Sequence, residues 1–235
     1  MRPGTPVRGG GGVSELLSED RPTTLAEAAR LIRGPGSELR RFLSAYSFGL
    51  QEMLTKVEIL REELRLEDDD CPIEHVGSRL KSFESLTAKV ARKGLPLELD
   101  AVRESVLDVA GIRVVCSFVS DVYLVADMLT RQPDVEVLET KDYIAAPKAN
   151  GYKSLHLIVR TPVHLSTGPV WVPVELQLRT VAMDSWASLE HKVFYKWDRD
   201  VPAELRAELL EAAHIADRLD ATMQRLHREV RATAP

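Results

Sequence analysis

At 235 residues, 44% hydrophobic and 29% charged, the chain can bury the core of one large domain and is too apolar for a disordered protein. A net charge of −5 argues against a broadly basic, nucleic-acid-coating surface, so no stable nucleic-acid partner is expected; a local basic cluster can still hold a small anion. No secretory h-region and no apolar run near the roughly 20 residues of a membrane span are present, and Cys71 and Cys116 have neither metal-ligand nor disulfide spacing, so a cytoplasmic protein is expected.

Residues 1–22 hold a Gly9–Gly12 run, three prolines and few apolar side chains, the composition of a disordered arm. A short helix is predicted over Thr24–Ile32, ended by Gly34-Pro35-Gly36, which makes 1–36 an N-terminal arm ahead of one domain over 37–235. Ser37 fits an N-cap for a long helix reaching about Glu67. Its residues Leu39, Leu43, Tyr46, Leu50, Met53, Val57, Leu60 and Leu64 fall at alternating steps of four and three, a heptad stripe. A second long helix over 203–231 carries Leu205, Leu209, Ala212, Ala216, Leu219, Met223, Leu226 and Val230. Two such helices can pack on each other, on the domain between them or on another subunit, and the stripes do not separate these.

Asp68–Asp70 and Pro72 break the first long helix, and a core over 73–200 alternates short strands with helices. Strands are predicted at Ile73–Ser78, Ile112–Phe118, Val135–Tyr143, Leu155–Thr161 and Val170–Leu178. Helices are predicted at Ser82–Lys93, closed by Gly94, and at Leu97–Leu107, Val119–Thr130 and Met183–Tyr195, the last with Trp186 and Leu189 inward. The fold class is α+β, with a mixed sheet of about five strands flanked by helices.

Over 79–93 there are five cations (79, 81, 89, 92, 93) and one anion (84). On a helix, Lys81, Ser85 and Lys89 would stack at i, i+4 and i+8, a cationic row that suits a polyphosphate near a helix N-terminus. The same pattern also describes an ordinary solvated helix face. Asp108 stands just before a β-type run, where a carboxylate can hold Mg²⁺ with substrate phosphates completing the shell. Arg113 alternates with Ile112 and Val114, so it leaves the apolar face and can clamp phosphate or stack on a base. A helix-ending Asp and a surface Arg remain the plainer alternatives.

Val170–Thr180 has a clean period of two, with Glu175, Gln177 and Arg179 on its polar face. Glu175 there could share a metal with Asp108 or act as a general base, and Pro173 suggests a strand edge or a bulge. Pro147–His156 is the most heavily loaded stretch. Asn150-Gly151 is a turn signal for a hairpin tip or strand start, and Lys148, Tyr152, Lys153 and His156 crowd around it. Cations, a flat ring and a histidine in one loop suit a nucleotide. No Walker P-loop, GxGxxG, GxSxG or adjacent His-Asp pair occurs.

Taken in order, Arg79-Leu-Lys-Ser-Phe-Glu-Ser85, Asp108-Val-Ala-Gly-Ile-Arg113, Asn150-Gly-Tyr-Lys-Ser-Leu-His156, Glu175-Leu-Gln-Leu-Arg-Thr180 and Ala182-Met-Asp-Ser-Trp-Ala-Ser-Leu-Glu-His191 resemble the RelA/SpoT synthetase domain. With no hydrolase or regulatory domain expected in so short a chain, the resemblance is to the small alarmone synthetases, over about residues 40–225. It implies a nucleotidyltransferase-like core with added terminal helices, and an assembly in which tetramers are favoured.

It also implies GTP pyrophosphokinase activity (GTP diphosphokinase, synthetase only): ATP's β,γ-pyrophosphate passes to the ribose 3′-hydroxyl of GTP or GDP, giving AMP and the alarmones of the stringent response. By motif position, Arg79 and Arg113 would sandwich adenine, and Lys81, Ser85 and Lys89 would hold ATP's phosphates. Asp108 would bind Mg²⁺ with Glu175 close by, sharing it or accepting the hydroxyl proton. Tyr152 would stack on guanine, with Lys148, Asn150, Lys153, Gln177 and Asp184 on the acceptor side. His156 would stand near the transferred group, and the Asn150-Gly151 tip would order only when acceptor arrives. Lys153 stands where arginine is also met, and Asp184 where some relatives carry asparagine. The alternatives are relatives that modify tRNA 3′ ends or adenine nucleotides, and an inactive nucleotide-binding regulator; the latter would be expected to lose Asp108 or Glu175.

Overall fold

The computed structural model describes residues 38–67, 71–96, 99–194 and 202–233. The expected arm and helix over 1–36, the Ser37 cap and the Asp68–Asp70 breaker lie outside the described residues, as does Tyr195. The chain divides into two compact units, residues 1–41 and 42–235, and of the first only the opening turn of a helix at 38–41 is described.

Six helices and five strands are found among the described residues. In chain order they are α1 (Glu38–Glu67), β1 (Ile73–Leu80), α2 (Phe83–Arg92), α3 (Leu99–Ser105), β2 (Ala110–Cys116), α4 (Val119–Thr130), β3 (Glu136–Asp142), β4 (Leu155–Leu165), β5 (Gly168–Thr180), α5 (Val181–Phe194) and α6 (Ala203–Thr233). The sheet order is β1-β2-β5-β4-β3. Only the β2–β5 pair is parallel; the other three pairs are antiparallel, so the sheet is mixed as expected.

The strands β4 and β5 are longer than the sequence suggested. They continue past Pro162 and begin before Val170, because Leu165 pairs with Gly168 across a tight turn. Gly168 turns that corner at φ +120. Pro173 sits where β5 pairs only with β4, since β2 joins at Glu175. Its missing N–H therefore faces an open edge, the tolerated place for proline in a sheet.

One sheet face carries Ile112, Val114, Leu176, Leu178, Leu157 and Val159, aligned by cross-strand register and all buried. Against the sheet lie α4, through Val122, Val125 and Leu129, and α1, whose Gly49 meets Val172. In α1 the expected stripe is the buried one: Tyr46, Leu50, Met53, Val57 and Leu60, joined by Phe42. Gly49 marks the closest approach, where a Cβ would stand 2.6 Å from Val172 Cγ1. This stripe packs on its own domain.

The C-terminal stripe behaves differently. The packed face of α6 is Leu209, Ala213 and Ala216, against Trp186 and Ala187 of α5, with the Trp186 indole N–H donating to the Leu209 carbonyl at 3.2 Å. That face is rotated from the expected seam, so Leu219, Met223, Leu226 and Val230 are exposed in the single chain. Leu189, expected inward, is also exposed, because α5 meets the sheet through Met183 and α6 through Trp186 and Ala187. No described helix is long and apolar enough to cross a membrane.

Candidate active site

The sheet face opposite the core is polar, and register places its side chains together. Gly77, Arg113, Gln177 and His156 are cross-strand neighbours in one row, and Arg79, Gly111, Glu175 and Ile158 in the next. Arg79 and Arg113 flank an open cleft of about 90 Å³ whose lining includes Gly111 and Gln177. Both side chains are exposed, 64% for Arg79 and 45% for Arg113, so each can offer a planar face to whatever enters.

At one end of this face Asp108, in the turn before β2, receives two ammonium groups on the same oxygen: Lys81 Nζ at 2.8 Å and Lys89 Nζ at 2.5 Å. The expected helical stacking of Lys81, Ser85 and Lys89 is not what brings them together. Ser82 caps α2, its hydroxyl accepting from the Ser85 N–H at 3.2 Å, so Lys81 precedes the helix. Lys81 is held instead by its backbone N–H on the Val109 carbonyl, and only Lys89 reaches in from the helix. Ser85 remains in the exposed first turn beside Ser82.

Burial pushes the Asp108 carboxyl up, but the hydrogen bonds and charges of Lys81 and Lys89 outweigh it and hold it at about 2. Lys81 moves below its ordinary value, since burial outweighs the help from Asp108. The other Asp108 oxygen, Oδ1, is buried without a hydrogen-bond partner. An orphaned, ionised carboxylate oxygen within electrostatic reach of Glu175 fits the donor set for Mg²⁺, which takes one or two carboxylates and completes its shell with phosphates and water. Among the described residues no group of three or more His, Cys, Asp or Glu could hold a metal alone.

At the centre, Glu175 Oε1 is 3.1 Å from His156 Nδ1, and its Oε2 accepts from Gln177 Nε2 at 2.8 Å. Burial raises the Glu175 carboxyl, yet His156 and Gln177 together bring it below its ordinary range. Glu175 is therefore ionised at neutral pH, a proton acceptor or cation ligand and not an acid. His156 Nε2 meets the Tyr152 hydroxyl at 2.8 Å. Lys148 lies between two tyrosine rings, its Nζ 4.6 Å from the centroid of Tyr143 and 4.6 Å from that of Tyr152.

The loop carrying Tyr152 is a narrow turn. Gly151 N–H donates to the Lys148 carbonyl at 2.8 Å, and Lys148 N–H to the Tyr152 carbonyl at 3.1 Å. Gly151 has φ +86, the left-handed residue such three-residue loops require. The Asn150 side chain accepts from the Tyr152 N–H at 3.2 Å, so it serves the turn. Lys153 points away from the sheet face and pairs with Asp217 of α6. The tip lies against α6, where Gly151 stands beside Ala213.

Asp184, at the start of α5, accepts from Arg113 Nη1 at 3.0 Å and from Arg179 Nη1 at 3.1 Å. Arg179 and Tyr143 belong to this constellation although no sequence motif assigns either a role. Arg179 was visible on the polar face of its strand, and its burial was not. Tyr143 had no periodic signal at all.

Comparison with known proteins identifies the family. Residues 78–200 match the region found in RelA/SpoT proteins. The chain is 47% identical over 188 residues to GTP pyrophosphokinase YwaC of Bacillus subtilis, covering 80% of this chain and 90% of that protein. It superposes on small alarmone synthetase 2 from Bacillus subtilis with a TM-score of 0.74 at 45% identity, over 82% of this chain and 99% of the other. With small alarmone synthetase 1 from Bacillus subtilis bound to its product pppGpp, the TM-score is 0.76 at 37% identity, over 83% of this chain and 99% of the other. The family match, the sequence identity and the shared fold lead to one assignment: the chain belongs to the RelA/SpoT family, among its small alarmone synthetases.

Proposed function

We propose that this chain is a GTP pyrophosphokinase that moves the β,γ-pyrophosphate of ATP to the ribose 3′-hydroxyl of GTP or GDP, with Mg²⁺ as cofactor. The observation that carries the reading is one polar sheet face joining a two-arginine cleft, an ionised Asp108 under two lysines, and a Glu175–His156–Tyr152 chain. Pyrophosphate transfer needs positioned phosphates, neutralised charge and a base for the attacking hydroxyl, and these groups supply them.

Adenine sits between Arg79 and Arg113 by cation–π stacking. Lys81 and Lys89, with the Ser85 hydroxyl, hold ATP's phosphates. Asp108, with Glu175 close by, would hold Mg²⁺, which would supply positive charge to offset that of the phosphates. Guanine stacks on Tyr152 once Lys148 leaves the ring and turns to the phosphates. Gln177 and Asp184 steady the acceptor side, whereas Asn150 and Lys153 shape the loop. Glu175 accepts the 3′-hydroxyl proton as the O3′–Pβ bond forms; the bond from Pβ to the oxygen of the α-phosphate breaks, and AMP leaves with that oxygen. His156 stands beside the transferred group.

The exposed α6 residues Leu219, Met223, Leu226 and Val230 support a homo-oligomer, with a tetramer favoured. The free cysteines Cys71 and Cys116 suit the cytoplasm. The decisive assay offers purified protein, Mg²⁺ and ATP labelled in the β,γ-pyrophosphate with GDP, GTP, ATP or tRNA in separate reactions. Label on the guanine nucleotides is expected; label only on tRNA or adenine nucleotides, or none, overturns the reading.

A further inference from the structure

Arg179 is 7% exposed, and a guanidinium stays charged wherever it is put. Such burial is costly unless its N–H groups are satisfied. Here each of the three nitrogens has a partner, and four side chains supply them. Nη1 donates to Asp184 Oδ1 at 3.1 Å, and Nε to Ser154 Oγ at 3.4 Å. Nη2 donates twice, to the Tyr152 hydroxyl at 2.6 Å and to Gln177 Oε1 at 3.1 Å.

Those two Nη2 bonds start two arms, and both end on Glu175. Arginine can only donate. The Tyr152 oxygen therefore accepts from Arg179, which leaves its proton for His156 Nε2 at 2.8 Å. A neutral His156 that accepts at Nε2 carries its proton on Nδ1, the nitrogen 3.1 Å from Glu175 Oε1. In the second arm Gln177 accepts from Arg179 through its carbonyl oxygen, which turns its amide toward Glu175 Oε2 at 2.8 Å. Every bond in the circuit then has one donor and one acceptor, and the sole source is Arg179. Asp184 balances its charge and is itself held by Arg113 at 3.0 Å.

We propose that Arg179 is a positioning residue of this reaction: its buried guanidinium sets the direction of two hydrogen-bond arms, through Tyr152–His156 and through Gln177, that converge on Glu175. Its catalytic part of this rests on the pyrophosphokinase reading above. The planar fork is needed because one nitrogen serves two acceptors while the other holds Asp184, which an ammonium on a flexible stem cannot reproduce.

Ring ¹⁵N spectra of histidine-labelled wild-type protein, with His156→Gln identifying the resonances, decide the first arm without substrate. Protonated Nδ1 and unprotonated Nε2 in neutral His156 are expected, and an Nε2-protonated ring overturns the proposal. Arg179→Lys is expected to lose that pattern and to lower kcat roughly 10- to 100-fold, while calorimetric binding of a non-hydrolysable ATP analogue changes by less than about threefold. Combined with Tyr152→Phe, Arg179→Lys is expected to cost much less than it does alone. Independent, multiplying losses, or a change confined to KM, overturn it. A wild-type protein that transfers to no acceptor sinks the functional reading, while the tautomer still decides the arm; a variant that does not fold leaves that wild-type measurement decisive.

Discussion

Gly151 lies so close to Ala213 that a Cβ on it would stand 2.4 Å from the Ala213 Cβ. The loop that presents Tyr152 is thereby seated on the C-terminal helix, and Lys153–Asp217 ties the same loop beside it. Gly151→Ala would meet both the clash and the left-handed φ of +86. A loss of about 1–3 kcal/mol is expected in urea unfolding. The KM for GTP should rise severalfold while binding of an ATP analogue is kept; equal damage to both substrates would show that the loop does not act on the acceptor alone.

Asp108 predicts a specific acid sensitivity. Its carboxyl is held at about 2 against an ordinary 3.8, so the ionised form is favoured in the folded state. A depressed carboxyl contributes stability that is present above pH 4 and lost as pH falls toward 2, amounting to about 2 kcal/mol. Asp108→Asn, unfolded without Mg²⁺, is expected to be less stable than the parent at pH 7 by about that amount. The gap should narrow below pH 3, and a constant gap from pH 7 to 2.5 would remove Asp108 from the acid transition.

Glu175→Gln keeps the shape of the side chain but gives up the charge and the proton acceptor. Transfer is expected to fall about 10²- to 10⁴-fold. Binding of an ATP analogue should survive, because the adenine cleft and the lysines are untouched. Near-normal turnover would take both the base and the metal role away from Glu175.

The two apolar surfaces of α6 allow folding and the proposed assembly to be tested separately. Leu219→Asp with Met223→Asp changes side chains that are exposed in the single chain, so the fold should persist while the mass from light scattering drops. Leu209→Asp instead strikes the contact with Trp186 and should lower the unfolding midpoint. An unchanged oligomer mass in the first variant would place any interface elsewhere.

Much of the site was legible because each motif is local. The period of two in β5 put Glu175, Gln177 and Arg179 on one face, and Asn150-Gly151 announced its turn. Lys81, Ser85 and Lys89 do not form one stacked helical row, since Ser82 is the N-cap and Lys81 lies before the helix. Two lysines still meet at Asp108, but through a strand end and a helix, which no spacing encodes. The α6 seam was read about one position off because Ala213, and not Ala212, is the small residue that lets the helix approach Gly151 and Trp186.

By itself the sequence determined the order of motifs, the α+β alternation, and the chemistry those residue types can perform. Periodicity and turn chemistry are written in neighbouring residues, so they survive reading without a fold. What lies between distant segments was decided by tertiary structure alone. Asn150 and Lys153 turned into loop supports because their partners are the Tyr152 backbone and Asp217. Lys148 came to rest between Tyr143 and Tyr152. The loaded loop owes its aim to Arg179, whose burial sets each of its nitrogens against a partner and so directs the chain that ends at Glu175. Burial and partnership depend on which strands lie side by side, and β5 lies between β2 and β4 only in the folded sheet.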